Sequence, residues 1–138
     1  MTNLSSETHI TAEKIIQTKK GDVFRIIRKD SKGYNGFSEL YLTEVKPGSF
    51  KGWKKHNRAT LNLFVVSGKV DFFIKTKLED NKEKCVSICS SSGKRLTIPP
   101  GIWLGFYSEK GAKIINFCDL IHDSTEAISV EKSYNERN

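Results

Sequence analysis

The sequence predicts an all-β chain, an antiparallel jelly roll or barrel, and three observations predict it. The apolar residues fall in short runs rich in β-branched and aromatic side chains, and Gly, Pro, Asn, Asp or Ser bounds most of the runs. Amphipathic helical spacing is weak and confined to a possible short helix near residues 11–17. Together these favour a two-sheet β architecture over any helical one.

In chain order the strand-like runs are residues 23–28, 38–45, 49–54, 60–66, 69–75, 85–89, 95–98 and 113–120. Lys46-Pro47-Gly48 reads as a type I or II turn, Ser67-Gly68 as a tight reversal between two runs, and Pro99-Pro100-Gly101 as a rigid bend. The charged stretch 78–83 and the stretch 90–93 read as exposed loops. Residues two apart on a strand share a face, so Lys54 looks the same way as His56, Tyr41 the same way as Glu39 and Thr43, and Asn116 the same way as Cys118.

A chain of 138 residues is long enough to bury one core without disulfides or metal staples. The folded body is expected over residues 13–128. Residues 1–12 and 129–138 are polar and without period, which predicts loosely held tails. No run approaches eighteen apolar residues and the first residues lack the charged-then-apolar order of a leader, so a cytoplasmic protein away from the membrane is expected. Cys85, Cys89 and Cys118 are odd in number, sit within strand-like runs and show no CxxC or Cys/His ligand spacing, which predicts reduced core thiols.

Lys and Arg outnumber Asp and Glu by 23 to 16, and the formal charge of +7 would assist a polyanionic ligand. The basic residues are scattered, however, with no RNP signature, helix-turn-helix pattern or zinc finger to organise them, which disfavours nucleic acid.

From Gly48 the spacing resembles the cupins, whose first motif is Gly, five residues, His-x-His, three or four residues, Glu, six residues, Gly. Here the order is Gly48, Lys54-Lys55-His56, Leu61 and Gly68. The second cupin motif, Gly, five residues, Pro-x-Gly-x-x-His, is matched by Gly93 and then Pro99-Pro100-Gly101-Ile102-Trp103-Leu104. The resemblance implies a cupin-type double-stranded β-helix. At the four metal-ligand positions it places Lys54, His56, Leu61 and Leu104, so one ligand of four remains and no metal or other cofactor is expected.

Within the cupins, five blocks resemble the dTDP-4-dehydrorhamnose 3,5-epimerases and the dTDP-4-keto-sugar 3,4-ketoisomerases. They begin at Gly33, Pro47, Asn62, Ile98 and Ile121, the last reading Ile121-His-Asp-Ser-Thr-Glu, and the likeness covers about residues 20–128. It implies an isomerase or epimerase acting on a nucleotide-linked 4-keto-6-deoxyhexose in surface-polysaccharide biosynthesis. Against the epimerase element Arg-Gly-x-His, Lys51 stands at the phosphate-binding Arg and Lys54 at the base. Asn116 aligns with the proton-donating Tyr, and an amide cannot donate and regain a proton as a phenol does. Against the ketoisomerase element Arg-Gly-x-His-x-His, His56 falls on the second His.

Proton removal beside a ketone needs a base near neutrality and a group that holds the enolate oxygen. His56 meets the first need, with a structural barrel-wall His as its rival role. Lys54 would favour an enolate or a phosphate, and substrate binding suits it better than base catalysis. Lys51 and Arg58 are candidate phosphate contacts, Tyr41 and Trp103 candidate stacking partners for a base or pyranose, and Asn116 a further substrate contact; rim charges and core aromatics are the plainer roles. His122-Asp123 reads as a turn in which the Asp caps its own backbone. A homodimer is expected, with the N-terminal segment as the element that crosses over. Two other functions compete: a non-catalytic sugar-nucleotide-binding cupin, and a basic nucleic-acid or partner-binding cupin.

Overall fold

β-Branched and aromatic runs gain most when one face packs against a second sheet, and the computed structural model, which describes residues 8–137, is built that way. Its strands are β1 (His9–Ala12), β2 (Ile15–Ile16), β3 (Val23–Phe24), β4 (Glu39–Val45), β5 (Ser49–His56), β6 (Leu61–Lys75), β7 (Lys84–Cys89), β8 (Lys94–Ile98), β9 (Trp103–Ser108), β10 (Ala112–Cys118) and β11 (Ala127–Ser129). One sheet runs β1-β8-β6-β10-β4 and the other β7-β6-β9-β5-β11, with every pair antiparallel. This is the predicted all-β jelly roll. Val45, Leu63, Val65, Phe72, Ile88 and Ile114 are among the residues of the core cluster, and all are nearly inaccessible. No helix among the described residues is long and apolar enough to cross a membrane.

Strand β6 belongs to both sheets, which corrects the reversal expected at Ser67-Gly68. Residues 61–68 pair with β8 and β10, and residues 69–75 with β7 and β9. Gly68 has φ +82°, and a Cβ there would stand 2.4 Å from the Gly111 carbonyl oxygen. The Ser-Gly pair therefore does signal positive φ, but a corner that hands a strand from one sheet to the other uses it as readily as a hairpin does. The register with β10 slips beside this corner, between Lys113 and Ile114.

Other expectations also change. The possible helix at 11–17 is replaced by β1 and by a small hairpin in which Ile15 pairs with Phe24 and Ile16 with Val23. Strand β9 was hidden behind the Pro99-Pro100-Gly101 bend. The expected N-terminal tail includes β1, which pairs with β8 of its own chain. At the other end, β11 pairs with β5, and the residues after it continue along the outside of the second sheet. There Trp53 Nε1 donates to the Arg137 carbonyl at 2.9 Å, Tyr134 stacks on Tyr107 at 4.1 Å, and Arg137 meets Glu83 at 2.9 Å. Both stretches are polar in composition, yet such contacts hold residues 9–12 and the residues after β11; residues 1–7 of the expected tail lie outside the described residues.

Across the outside of the first sheet, residues 13–33 are tied down by Arg95, whose side chain is fully buried. Its guanidinium donates to Asn62 Oδ1 at 3.0 Å, Glu13 Oε2 at 2.7 Å and the carbonyls of Ile26 and Lys32.

Candidate active site

Residues at alternate strand positions point inward, and the two sheets are lined unequally. Toward β7 the space is filled by aliphatic and aromatic side chains. Between β4, β6 and β10 on one side and β5 and β9 on the other, a cavity of about 390 Å³ remains, walled additionally by residues 129–131. That is within the usual range for a small-molecule site. Leu61, Leu63, Leu104, Phe106 and Ile114 make it partly apolar, and the polar groups converge on this lining.

Lys51, Lys54 and His56 reach the cavity from β5. Lys51 pairs with Phe106 and Lys54 with Leu104, and the register shift between them lets two lysines three apart share one face. Lys51 Nζ touches the Glu44 carbonyl at 3.3 Å. His56 is 8 % exposed, and its Nδ1 lies 2.6 Å from Glu126 Oε1. The other oxygen of Glu126 accepts the backbone N–H groups of Arg58 at 2.9 Å and Ala59 at 2.8 Å. Burial pushes the Glu126 carboxyl up, but the hydrogen bonds from Arg58, His56 and Ala59 outweigh it and hold the group below the usual carboxylate range. An ionised Glu126 can only accept, so His56 Nδ1 is the nitrogen that donates to it and Nε2 is left for other partners.

Opposite neighbours in register, Tyr41 on β4 and Asn116 on β10, also line the cavity. Asn116 Nδ2 donates to the Tyr41 hydroxyl at 2.9 Å. Burial pushes the Tyr41 phenol up to about 12, so it keeps its proton at neutral pH.

Five of the seven site residues expected from sequence thus meet at one cavity: Lys51, Lys54, His56, Tyr41 and Asn116. Trp103 does not line it. Its side chain packs on the outer face of β9 with Trp53 and Phe73, with Lys55 Nζ 5.3 Å from its ring centre. Arg58 also stays outside, its side chain 61 % exposed and 3.9 Å from Asp123; only its backbone N–H serves the site, through Glu126. Asp123 caps a turn, accepting the N–H and hydroxyl of Thr125. The residue that sequence reasoning missed is Glu126, seventy positions from its partner. Its one signal was its place as the last residue of the block Ile121-His-Asp-Ser-Thr-Glu.

Among the described residues no three His, Cys, Asp or Glu side chains stand together as a metal-holding group. Leu61 and Leu104, which occupy cupin ligand positions, are cavity-wall residues with no lone pair to offer.

No family model matches the sequence, and no curated protein does. Several solved structures share the fold. A dTDP sugar isomerase from Desulfovibrio desulfuricans G20 is 24 % identical, with 90 % of this chain and 83 % of that one covered at a TM-score of 0.80. A dTDP-4-dehydrorhamnose 3,5-epimerase from Sulfolobus tokodaii is 14 % identical, with 97 % and 81 % covered at 0.82. A mutant of the 3,4-ketoisomerase QdtA from Thermoanaerobacterium thermosaccharolyticum, in complex with TDP-4-keto-6-deoxyglucose, is 18 % identical, with 88 % and 86 % covered at 0.76. The chain is similar to these proteins over nearly its whole described length, and the likeness is one of fold.

Proposed function

We propose that this chain, folded as a cupin-type jelly roll, is an isomerase acting on a nucleotide-linked 4-keto-6-deoxyhexose, with His56 as the base. The observation that carries the reading is the buried His56–Glu126 pair in the wall of a cavity that also presents Lys54 and the Tyr41 hydroxyl. The fold shared with dTDP-sugar isomerases and epimerases supports it.

In this reading Nε2 of His56 takes the proton on the carbon next to the C4 ketone. The C–H electron pair forms a carbon–carbon double bond, and the carbonyl pair moves onto oxygen as an enolate. Glu126 steadies the imidazolium that results. The Tyr41 hydroxyl and the Lys54 ammonium are suited to the developing negative charge, and Lys51 to a phosphate. When the deprotonated carbon bears a hydroxyl, that hydroxyl gives its proton to the enolate oxygen and the returning proton adds to the former carbonyl carbon, which moves the carbonyl; return of the proton to the original carbon from the other face inverts it. Asn116 stands where the epimerases carry their phenol, which favours carbonyl transposition or a single inversion over double epimerisation.

Binding without turnover is the second reading, favoured by Lys54 and Asn116 at positions where the epimerases carry base and acid. Incubation with dTDP-4-keto-6-deoxyglucose in D₂O separates the two. An enolising enzyme incorporates deuterium at C3 or C5 well above the enzyme-free rate even when net conversion is small. Binding with no excess deuterium would sink the isomerase reading for this substrate.

We also propose a homodimer. Among the described residues strand β4 pairs only with β10, and Phe37, Leu40 and Leu42 beside or on it are 55 %, 54 % and 58 % exposed. An unpaired edge with an apolar outer face is the kind of surface a second copy covers. Light scattering at micromolar concentration should give twice the chain mass, and Leu42→Glu should shift it toward the monomer; a monomeric wild type would remove the proposal. A cytoplasmic setting completes the reading, supported by Cys85, Cys89 and Cys118 as free thiols; Cys118 is in the core as expected, whereas Cys85 and Cys89 on β7 are exposed because they alternate with the inward-facing Val86 and Ile88.

A further inference from the structure

An ammonium or an indole N–H is buried at tolerable cost only where an acceptor takes its hydrogens. Trp53 is 1 % exposed and Lys75 2 % exposed, and both spend a donor on one acceptor, the backbone carbonyl of Arg137. The Trp53 indole reaches it at 2.9 Å and the Lys75 ammonium at 3.4 Å. A second acceptor for the ammonium is the Leu78 carbonyl at 3.4 Å, and the charge lies 5.1 Å from the centre of the Trp53 ring. Taking the C-terminal stretch away would leave both donors short of a partner beside the aromatic cluster of Trp53, Phe73 and Trp103. The body of the fold is therefore built to receive that stretch.

The Arg137 side chain keeps its own carbonyl in place. Its guanidinium lies 4.4 Å from the ring centre of Phe73 and 4.3 Å from that of Tyr134, and donates to Glu83 at 2.9 Å and to the Tyr134 carbonyl at 2.9 Å. From this anchor the chain leads back to the cavity. The Lys132 N–H donates to the Gly52 carbonyl at 3.2 Å, and Val130 and Trp53 exchange backbone hydrogen bonds of 2.8 and 2.7 Å. Ser129, Val130 and Glu131 wall the cavity, and Glu126 at the start of the stretch holds His56. Trp53 thus pins the stretch twice, by its backbone at the wall and by its indole at the far end.

We infer that residues 130–137 form a clasp that completes the cavity wall, with Arg137 as its positioning residue. Arg137 lies outside the cavity lining and acts through Trp53 and Val130. The inference rests on the sugar-nucleotide reading of the cavity and adds that ligand affinity there depends on an anchor at the outer face of the second sheet. Strand β11 is three residues long, and a pairing that short needs packing elsewhere to hold it. A ligand that touches residues 129–131 in turn favours the closed clasp, because it binds that state better than an opened one.

Wild type, Arg137→Ala and Arg137→Lys are compared by amide hydrogen exchange and by calorimetric and steady-state titration with dTDP-4-keto-6-deoxyglucose. In Arg137→Ala the amides of Trp53 and Val130 should exchange about tenfold faster or more while those of β6 and β10 keep their rates, the mark of local opening. Kd and KM should rise together by about five- to tenfold with kcat within about threefold, because the wall serves ground state and transition state alike. Arg137→Lys keeps a cation for Glu83 and the two rings without the guanidinium fork, and should fall between the two. Saturating ligand should slow the Val130 amide of wild type. Removal of residues 133–138 should reproduce Arg137→Ala. The inference is overturned by faster exchange in every strand together, by an opened clasp with Kd unchanged, or by ligand that leaves the Val130 amide as it was. A chain that binds without turnover is judged on Kd and the lysine rescue alone. Failure of the sugar-nucleotide reading has a different signature, a wild type that binds no sugar nucleotide, and the inference falls with it.

Discussion

His56→Asn should abolish deuterium incorporation from D₂O into dTDP-4-keto-6-deoxyglucose while leaving affinity for the sugar nucleotide nearly unchanged. A general base acts on the transition state far more than on the ground state, so its removal should cost about 10²–10⁴-fold in rate and little in binding. Asparagine is chosen because its side-chain amide can keep a hydrogen bond to Glu126, which would otherwise be a buried carboxylate short of one donor. Glu126→Gln provides the graded control. The imidazole stays, but the carboxylate that orients it and balances the imidazolium is gone, and a loss of about 10–100-fold is expected, by analogy with outer partners of other functional histidines. Rapid exchange by His56→Asn would show that another group removes the proton, and Lys54 would be the next to test. Exchange unaffected in Glu126→Gln would reduce the pair to a structural contact.

Arg95→Met should be the most destabilising single change considered, lowering stability by about 3–5 kcal/mol, the range for breaking a buried charge pair by removing one partner. Its guanidinium is fully buried and holds Glu13, Asn62 and two backbone carbonyls. Methionine fills much of the volume but satisfies none of these acceptors. The thermal midpoint should drop by roughly 10 °C or more for a chain of this size. The pH dependence gives an independent readout. Hydrogen bonds from Arg95 and Ser31 hold the Glu13 carboxyl below its ordinary value. A depressed native value stabilises the fold at pH above the ordinary carboxylate value, and this stability is lost as pH falls through the lower native value. In Arg95→Met that acid-side loss should flatten, because the unpaired carboxyl no longer gains from staying ionised. A midpoint within about 2 °C of wild type would show that the segment 13–33 is not held by this residue.

Much of the site was legible because a strand has period two. Once β4, β5 and β10 are drawn from their β-branched and aromatic content, Tyr41, Lys54, His56 and Asn116 must each face one side of a sheet, and the inner face of a two-sheet fold is where they meet. The turn residues at Pro47-Gly48 and Pro99-Pro100-Gly101 set where the strands begin and end for reasons local to the backbone. Those properties depend on a few neighbouring residues, and the amino-acid order alone determines them.

What remained depends on contacts between residues far apart in the chain. Gly68 announces positive φ, but whether the strand reverses or crosses between sheets depends on Gly111 lying against it. Trp103 has the composition of a stacking residue, and it faces outward because Trp53 and Phe73 offer apolar surface on that side of β9. The two ends lack any period, yet the pairing of β1 with β8 holds residues 9–12 and the Trp53–Arg137 contact holds the C-terminal stretch, through distant partners that no local pattern reveals. Glu126 illustrates the limit most directly: its charge makes it look like any solvated surface residue. Only the pairing of β11 with β5 brings it to His56 and to two backbone N–H groups, where burial without water makes a carboxylate both costly and useful.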